Sequence, residues 1–214
     1  MDEIKAAVHS SDQIENVLTF EKRALAGIGY FQGLSFDTDK YLHAIGKSYF
    51  YTDRIKAECS SDLKQLIPYA ILIHNENVLR YKRGSDSGDL RLRSRHSIGI
   101  GGHISHYDGN MFPKLCFSAM IRELNEELFI KSSFQYKDVA LINDDSNDVG
   151  RVHFGIIIIV KLDSANVVAK EMNIKEVEFV SIAELKKNID SFESWSAICI
   201  ENIESIFNAY HAVT

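Results

Sequence analysis

One short segment, Arg122-Glu-Leu-Asn-Glu-Glu-Leu128, constrains the fold of this chain more than any other. If the segment is helical, Glu123, Glu126 and Glu127 stand at positions i, i+3 and i+4 and therefore share one side of the helix. At about 100° per residue, the nearby apolar residues fall on a neighbouring side, so the helix is expected to lie across a hydrophobic core. These apolar residues are Phe117, Met120, Ile121, Leu124 and Leu128.

Three carboxylates on one side of a helix need a cation nearby. Like charges at this spacing cost a helix roughly 0.2–0.5 kcal/mol per pair when nothing positive offsets them. Carboxylate oxygens are the ligands that Mg²⁺ and Mn²⁺ prefer in proteins. The segment therefore predicts a helix that holds a divalent metal ion.

A glycine-rich stretch precedes this helix. The residues from Ser97 to Ser105 are predicted to form a strand that runs into Gly99, Gly101 and Gly102. Glycine lets the backbone approach a ligand closely, which a bulky side chain would prevent. Because the glycines come about twenty residues before the acidic helix, we expect the two to form one site.

Together these residues resemble the signature of the Nudix hydrolase superfamily. That signature reads G-x5-E-x7-R-E-U-x-E-E-x-G-U, where U is an aliphatic residue. The residues that match it are Gly102, Arg122, Glu123, Leu124, Glu126, Glu127 and Ile130. The wider context, Arg-His-Ser-Ile-Gly-Ile-Gly-Gly-His-Ile, is similar to a branch of predicted phosphoesterases of MutT type. The resemblance covers residues 64 to 210.

The chain departs from the signature at three points. Nineteen residues, 103–121, separate Gly102 from Arg122, whereas the signature has thirteen, so this loop is longer by six. Lys114 stands where the signature has its first Glu, and Phe129 stands where it has its last Gly. None of these changes affects the Arg-Glu-x-x-Glu-Glu core, so the resemblance constrains the metal site more than the substrate.

The resemblance implies a reaction and a set of site residues. The reaction is hydrolysis of a phosphoanhydride (diphosphate) bond in a nucleoside diphosphate-linked or related small molecule, with Mg²⁺ or alternatively Mn²⁺ as cofactor. The implied metal ligands are the carbonyl of Gly101 and the carboxylates of Glu123, Glu126 and Glu127. The implied general base, which accepts the proton of the attacking water, is either Glu123 or Glu126. Both residues stay candidates because the titrations of their carboxyl groups are coupled. Arg122, four residues before Glu126, is expected to orient that carboxylate.

Basic residues cluster around the predicted turn Gly84–Gly88 in a chain that is otherwise acidic. One interpretation is a phosphate-binding rim with Arg83, Arg91 and Arg93 as its members. The other is a solvated hairpin with alternating charges. Arg91 and Arg93 have the same strand parity, so if either faces the site, both do.

Two histidines are further candidates for substrate contact. His103 follows the glycines, and His153 begins a predicted strand, where a satisfied core histidine is the equal alternative. Zinc is disfavoured, because a closed zinc site takes four nitrogen or sulfur ligands and the nearby sequence offers no cysteine pair.

The composition excludes several classes of protein. The net charge of −6 argues against a general affinity for nucleic acid or for an anionic membrane. Three cysteines without C-x-x-C spacing favour free thiols in a reducing compartment. No secretory signal pattern or membrane-spanning run is apparent, so a cytoplasmic location is expected. The partner that the resemblance implies is a small-molecule diphosphate substrate.

The remaining segments predict an α/β fold. Strands before and after the metal helix, followed by closing helices, predict a mixed β-sheet between helical layers, in agreement with the Nudix-like α/β/α sandwich that the resemblance implies. Residues 61–214 would form this domain. Residues 1–60 would be an N-terminal extension that packs on the core or mediates a homodimer, the alternative being a role in substrate specificity. The acidic stretch 144–148 is expected to be a solvated turn, and residues 194–209 a final helix.

Two rival functions belong to different classes. An enzyme of the isopentenyl-diphosphate isomerase type needs a cysteine opposite a glutamate in the cleft, and Cys116, on the metal helix itself, is poorly placed for that. A non-catalytic nucleotide-binding regulatory module would keep the fold without turnover. The presence of all three glutamates favours an enzyme.

Overall fold

A mixed β-sheet runs through the molecule, which a computed structural model describes over residues 15–84 and 94–212. The strands are β1 (Asn16–Glu21), β2 (Gly33–Ser35), β3 (Phe50–Asp53), β4 (Leu63–His74), β5 (Asn77–Arg83), β6 (His96–Ser97), β7 (Gly99–Gly101), β8 (Leu128–Ile130), β9 (Phe134–Asn143), β10 (His153–Leu162), β11 (Val167–Ala169) and β12 (Ile174–Ser181). The helices are α1 (Thr38–Gly46), α2 (Arg54–Glu58), α3 (Lys114–Glu127), α4 (Asp148–Val152), α5 (Ile182–Lys187), α6 (Ser194–Glu201) and α7 (Ile203–His211).

The main sheet has the strand order β12-β5-β4-β10-β9-β2. Strand β10 is parallel to β4 and antiparallel to β9, so the sheet is mixed. Strands β1 and β7 also pair with β4, whereas β3 pairs with β1 and β6 with β5. Strands β8 and β11 form a separate antiparallel pair.

Strand β10 shows why the sheet lies between two helical layers. Every residue from Phe154 to Val160 is buried, as expected for a β-branched strand covered on both faces. Ile156, Ile158 and Val160 belong to the core shared with α1 and α3, whereas Ile157 and Ile159 belong to the core shared with α5, α6 and α7. The α/β/α sandwich predicted from the sequence is therefore confirmed.

Helix α3 lies across the first core with its acidic side turned away from it. Its buried residues include Met120 and Leu124, and the predicted apolar neighbours Phe117 and Ile121 are partly buried against the same core. No helix among residues 15–84 and 94–212 is long and apolar enough to cross a membrane.

The predicted final helix is interrupted. Asn202, with φ −111° and ψ 18°, separates α6 from α7, and its Nδ2 atom donates a hydrogen bond to the carbonyl of Ile198 at 2.9 Å. An asparagine side chain offers the backbone an alternative to helical hydrogen bonding, which explains the break.

The N-terminal segment contributes strands to the main sheet. Strand β1 pairs with β4 in a register that opposes Thr19 to Gln65, and β2 pairs with β9 in a register that opposes Leu34 to Ile142. The proposed boundary at residue 60 and a dimerisation role for this segment stay predictions.

The acidic stretch after β9 is a turn that is only partly solvated, because a buried lysine anchors it. The Asp144 carboxylate is buried and accepts hydrogen bonds from the Ser146 amide (3.0 Å) and from Asn147 Nδ2 (2.7 Å). The Nζ atom of Lys64, whose side chain is 0% exposed, contacts Asp145 Oδ1 at 2.6 Å. Burial lowers the pKa of Lys64 to about 8 against the opposing effect of Asp145. The expected turn is present with Ser146 and Asp148 exposed, but the contact with Lys64 was not foreseen because Lys64 comes from β4, distant in sequence.

Lys64 also fixes the start of β10. Its ammonium group donates to the carbonyls of Gly150 (2.6 Å) and His153 (3.0 Å). A Cβ on Gly150 would overlap the carbonyl oxygen of Asp144, so the tight packing of this loop requires glycine there.

Replacing Lys64 with Met is therefore expected to lower the free energy of unfolding by about 2–4 kcal/mol, because Asp145 and two buried carbonyls lose their donor. Urea denaturation measures the change. Lys161→Met, at an exposed position of β10, is the control. Equal midpoints for the two variants would show that the buried ammonium does not anchor the loop.

Candidate active site

A cleft of about 1750 Å³ contains most of the candidate site residues. The glycines after β7, the acidic side of α3, the segment from Asn147 to His153 and the start of α6 all contribute to its lining. The N-terminal segment contributes as well, through residues around β1 and α2. The residues that sequence reasoning singled out and that line the cleft are Arg83, Gly101, Gly102, His103, Arg122, Glu123, Glu126 and His153.

The backbone at Gly102 lies directly against the Glu123 carboxylate. A Cβ on Gly102 would overlap the carboxyl group of Glu123. Any other residue would therefore displace this side chain. The expected close approach between the glycine stretch and the acidic helix is present in the structure, and it involves Glu123 in particular.

Arg122 connects the glycine stretch to α3. Its Nη2 atom donates to the carbonyl of His103 at 2.7 Å, and its Nη1 atom donates to Glu123 Oε1 at 2.6 Å. The distance from Nη1 to Glu126 Oε2, the contact expected from the sequence, is longer at 3.4 Å. Arg122 therefore orients Glu123 more directly than Glu126.

Asp108 is a site residue that sequence reasoning missed. Its carboxylate is 3% exposed and accepts two hydrogen bonds from Arg122, at 2.8 Å from Nε and 3.1 Å from Nη2. Burial opposes ionisation of Asp108, but the hydrogen bonds from Arg122 outweigh it and lower the pKa of this carboxyl. The same hydrogen bonds raise the pKa of Arg122.

The long loop before α3 is what brings Asp108 to Arg122. Residues 105–108 form a capping box, in which Asp108 Oδ2 accepts from the Ser105 amide at 2.7 Å and Ser105 Oγ accepts from the Tyr107 amide at 3.2 Å. The Ser-x-x-Asp pattern was visible in the sequence and was the available signal. Lys114, where the Nudix signature has Glu, is exposed, whereas Asp108, six residues earlier, is the carboxylate that contacts Arg122.

Glu126 and Glu127 occupy different surroundings. Glu126 lines the cleft with an exposed side chain. Glu127 is partly buried and is not among the residues that line the cleft. Burial raises the pKa of Glu127 to about 8 against the opposing effect of Arg83, and the charges of Glu123, Glu171 and Glu126 add to the increase.

The residues fit a divalent cation by donor chemistry. Mg²⁺ and Mn²⁺ prefer oxygen ligands. Because Gly102 has no side chain, the Glu123 carboxylate has room beside the backbone at the cleft. Within the described ranges, no group of three His, Cys, Asp or Glu side chains is placed so that it could hold a metal ion. Arg122 contacts Glu123 Oε1 in this arrangement, so a metal ion at this oxygen would require the two side chains to rearrange.

Of the three candidate phosphate-binding arginines, Arg83 lines the cleft. Its Nε atom contacts Glu193 Oε2 at 2.8 Å. Glu193 was missed by sequence reasoning, and its Oε1 atom accepts hydrogen bonds from Ser97 Oγ (2.7 Å) and Tyr69 OH (3.1 Å). Arg91 and Arg93 lie outside the residues that the structure describes, so their role stays a prediction.

His103 and His153 lie side by side in the cleft, with ring centroids 5.6 Å apart. His153 Nδ1 donates to the carbonyl of Val149 at 2.7 Å, which leaves Nε2 as the acceptor nitrogen. His103 Nε2 is buried and has no hydrogen-bond partner. Burial lowers the pKa of both imidazoles, and Arg54 adds to the effect, so both rings are neutral near pH 7.

The cysteines differ in their relation to the cleft. Cys116 is buried in the core, and burial raises its pKa to about 12, so it is unsuited to the isomerase-type role. Cys59, which follows α2, is exposed and lines the cleft.

Comparison with known proteins decides the family. No protein-family model matches the chain. Protein YmaB of Bacillus subtilis is 31% identical over 194 residues, which span 86% of this chain and 92% of YmaB. Crystalline Tm1382, described as a candidate Nudix hydrolase, has a TM-score of 0.77 at 27% identity, over 90% of this chain and 100% of Tm1382. The chain belongs to the Nudix hydrolase superfamily.

A more distant structure shares the Nudix fold. The NUDIX domain of Shewanella oneidensis NrtR, crystallised with ADP ribose, has a TM-score of 0.53 at 13% identity, over 67% of this chain and 88% of that domain. This structure shows the fold alone. The similarity to Tm1382 confirms the resemblance found in the sequence, and Nudix membership supports hydrolase chemistry in the broad sense.

Replacing Asp108 with Asn is expected to destabilise this Nudix domain by about 1–2 kcal/mol, because Arg122 loses a charge-assisted hydrogen bond while the cap on Ser105 persists. Urea denaturation at pH 7 tests this expectation. Asp62→Asn, at an exposed position, is the matched control. An Asp108→Asn midpoint equal to that of the control would mean that the Arg122 contact contributes no stability.

Proposed function

We propose that the chain is a Mg²⁺-dependent hydrolase that cleaves a phosphoanhydride bond in a nucleoside diphosphate-linked or related small molecule, with Mn²⁺ able to replace Mg²⁺. The observation that carries the proposal is the close packing of the Gly102 backbone against Glu123, on the helix turn that also presents Glu126 and Glu127. This arrangement occurs in a chain whose relatives include a candidate Nudix hydrolase.

In this proposal the Gly101 carbonyl and the carboxylates of Glu123, Glu126 and Glu127 would hold the metal, which requires Glu127 to turn toward the cleft from its partly buried position. The chemistry that bound Mg²⁺ supplies is neutralisation of the diphosphate and activation of the attacking water. Glu123 or Glu126 accepts the proton of that water, since both line the cleft and are within reach of solvent.

The arginines have separate tasks. Arg122 positions Glu123 and, being held by Asp108 and the His103 carbonyl, does not need to contact substrate. Arg83 lines the cleft and is fixed by Glu193, so its guanidinium is a candidate for the diphosphate oxygens. His103 and His153 add neutral imidazole groups that contact the substrate by hydrogen bonding.

Glu126→Gln and Glu127→Gln are each expected to reduce Mg²⁺-dependent phosphate release by more than about 100-fold, because an amide oxygen is a weaker ligand than a carboxylate. Release is measured on a panel of nucleotide sugars including ADP-ribose, dinucleoside polyphosphates, NADH and oxidised nucleotides. Glu201→Gln, an exposed position on α6, is the control and should retain activity.

Circular dichroism of each variant establishes that the fold is intact. Full activity of both glutamate variants would remove the proposed metal site. If the wild-type chain binds panel compounds but forms no hydrolysis product from any of them, the result would instead support a non-catalytic regulatory module.

The isomerase-type alternative is tested through Cys59, because this thiol lines the cleft. For a metal-dependent hydrolase, Cys59→Ser is expected to leave phosphate release within about twofold of the wild type, since no covalent or proton-transfer role falls to sulfur. Loss of turnover in Cys59→Ser, together with rearrangement of an allylic diphosphate by the wild type, would favour the isomerase.

A further inference from the structure

Arg83 lies between carboxylates from two different parts of the chain. Its Nε atom contacts Oε2 of Glu193, just before α6, at 2.8 Å. Its positive charge also acts on Glu127, the last residue of α3. Arg83 and Glu127 both belong to the described part of the chain, and no ion pair joins them. Arg83 is therefore paired with Glu193 while it stays within electrostatic range of a proposed metal ligand.

Glu193 is held in place from several sides. Its side chain is 5% exposed, and Oε1 accepts hydrogen bonds from Ser97 Oγ at 2.7 Å and from Tyr69 OH at 3.1 Å. Ser196 Oγ, on α6, donates to the same oxygen at 3.4 Å. A carboxylate that is fixed in this way cannot follow the flexible arginine, so the position of Glu193 determines the position of the Arg83 guanidinium.

The choice of partner for Arg83 affects what Glu127 can bind. Glu127 is partly buried, and charges attract each other more strongly there than in water. A carboxylate that is paired with a guanidinium has fewer free oxygen lone pairs for a metal ion. Because Glu193 engages Arg83 instead, Glu127 remains able to turn toward the cleft.

We propose that Glu193 is a positioning residue that holds Arg83 away from Glu127 and so keeps this carboxylate available to a divalent cation. The inference rests on the proposed function for the presence of the cation at α3. It gives the segment before α6, which lies outside the Nudix signature, a role in metal binding.

Glu193→Gln tests the proposal through Mn²⁺ binding to the full chain without substrate, measured by electron paramagnetic resonance of the free Mn²⁺. The hydroxyl groups of Ser97 and Tyr69 need an acceptor at Oε1, so the glutamine amide nitrogen faces Arg83 and releases it. Arg83 then pairs with Glu127, and the Kd for Mn²⁺ should rise about tenfold, as is typical when a group that supports a metal ligand is lost.

A second substitution distinguishes this role from a purely structural one. Adding Arg83→Gln to Glu193→Gln removes the competing cation, so the Kd for Mn²⁺ should return to within about twofold of the wild-type value. Arg83→Gln alone should bind Mn²⁺ as the wild type does. Glu178→Gln, which removes a carboxylate partner of Arg80 outside the cleft lining, is the control.

The outcomes separate this inference from the proposed function. An unchanged Kd in Glu193→Gln, or a loss that Arg83→Gln does not restore, would overturn the inference alone. If circular dichroism shows that Glu193→Gln does not fold, Arg83→Gln decides, because weaker Mn²⁺ binding by this variant would mean that Arg83 supports the metal site instead of competing with it. A wild-type chain that does not bind Mn²⁺ would remove the proposed metal site and this inference together.

Discussion

The charge-assisted contacts of Arg122 hold the candidate active site together. One guanidinium reaches the backbone of the glycine stretch, the carboxylate of Asp108 in the long loop and the carboxylate of Glu123 on the same helix. Arg122 therefore connects these three parts of the chain at the cleft. Because hydrogen bonds to ionised groups are among the strongest in proteins, the helix and the glycines keep a fixed relation while the cleft remains open to solvent.

Buried charged side chains also hold loops of this structure in place. Lys64, on β4, contacts Asp145 in the segment before β10. Glu193, just before α6, contacts Arg83 and accepts a hydrogen bond from the hydroxyl of Ser97. A buried ion pair adds little net stability over an apolar pair, but removing one partner is costly. Such pairs therefore favour one arrangement of the cleft over its alternatives.

The sequence predicted those features that depend on local periodicity. The β-branched run of β10 and the 3.6-residue spacing in α3 each identify an element and its buried side without knowledge of its partners. The α/β/α layers followed from these elements. Lys64 and Glu193 could not be assigned, because each looks like an ordinary polar residue until folding supplies a partner 81 or 110 residues away. The Ser-x-x-Asp pattern could have identified Asp108 as a cap, but not its contact with Arg122, 14 residues away. The break at Asn202 was missed since the apolar pattern continues through it.

The pairing of β1 links the folding of the main sheet to the shape of the cleft. The same strand completes the edge of β4 and, through Leu18, holds the loop that carries Tyr107. A change within β1 would therefore disturb the sheet as well as the cleft. The side chains of Ile55 and Tyr107 project into solvent at the same cleft, so substitutions at these two positions would alter the cleft lining with little cost to the sheet.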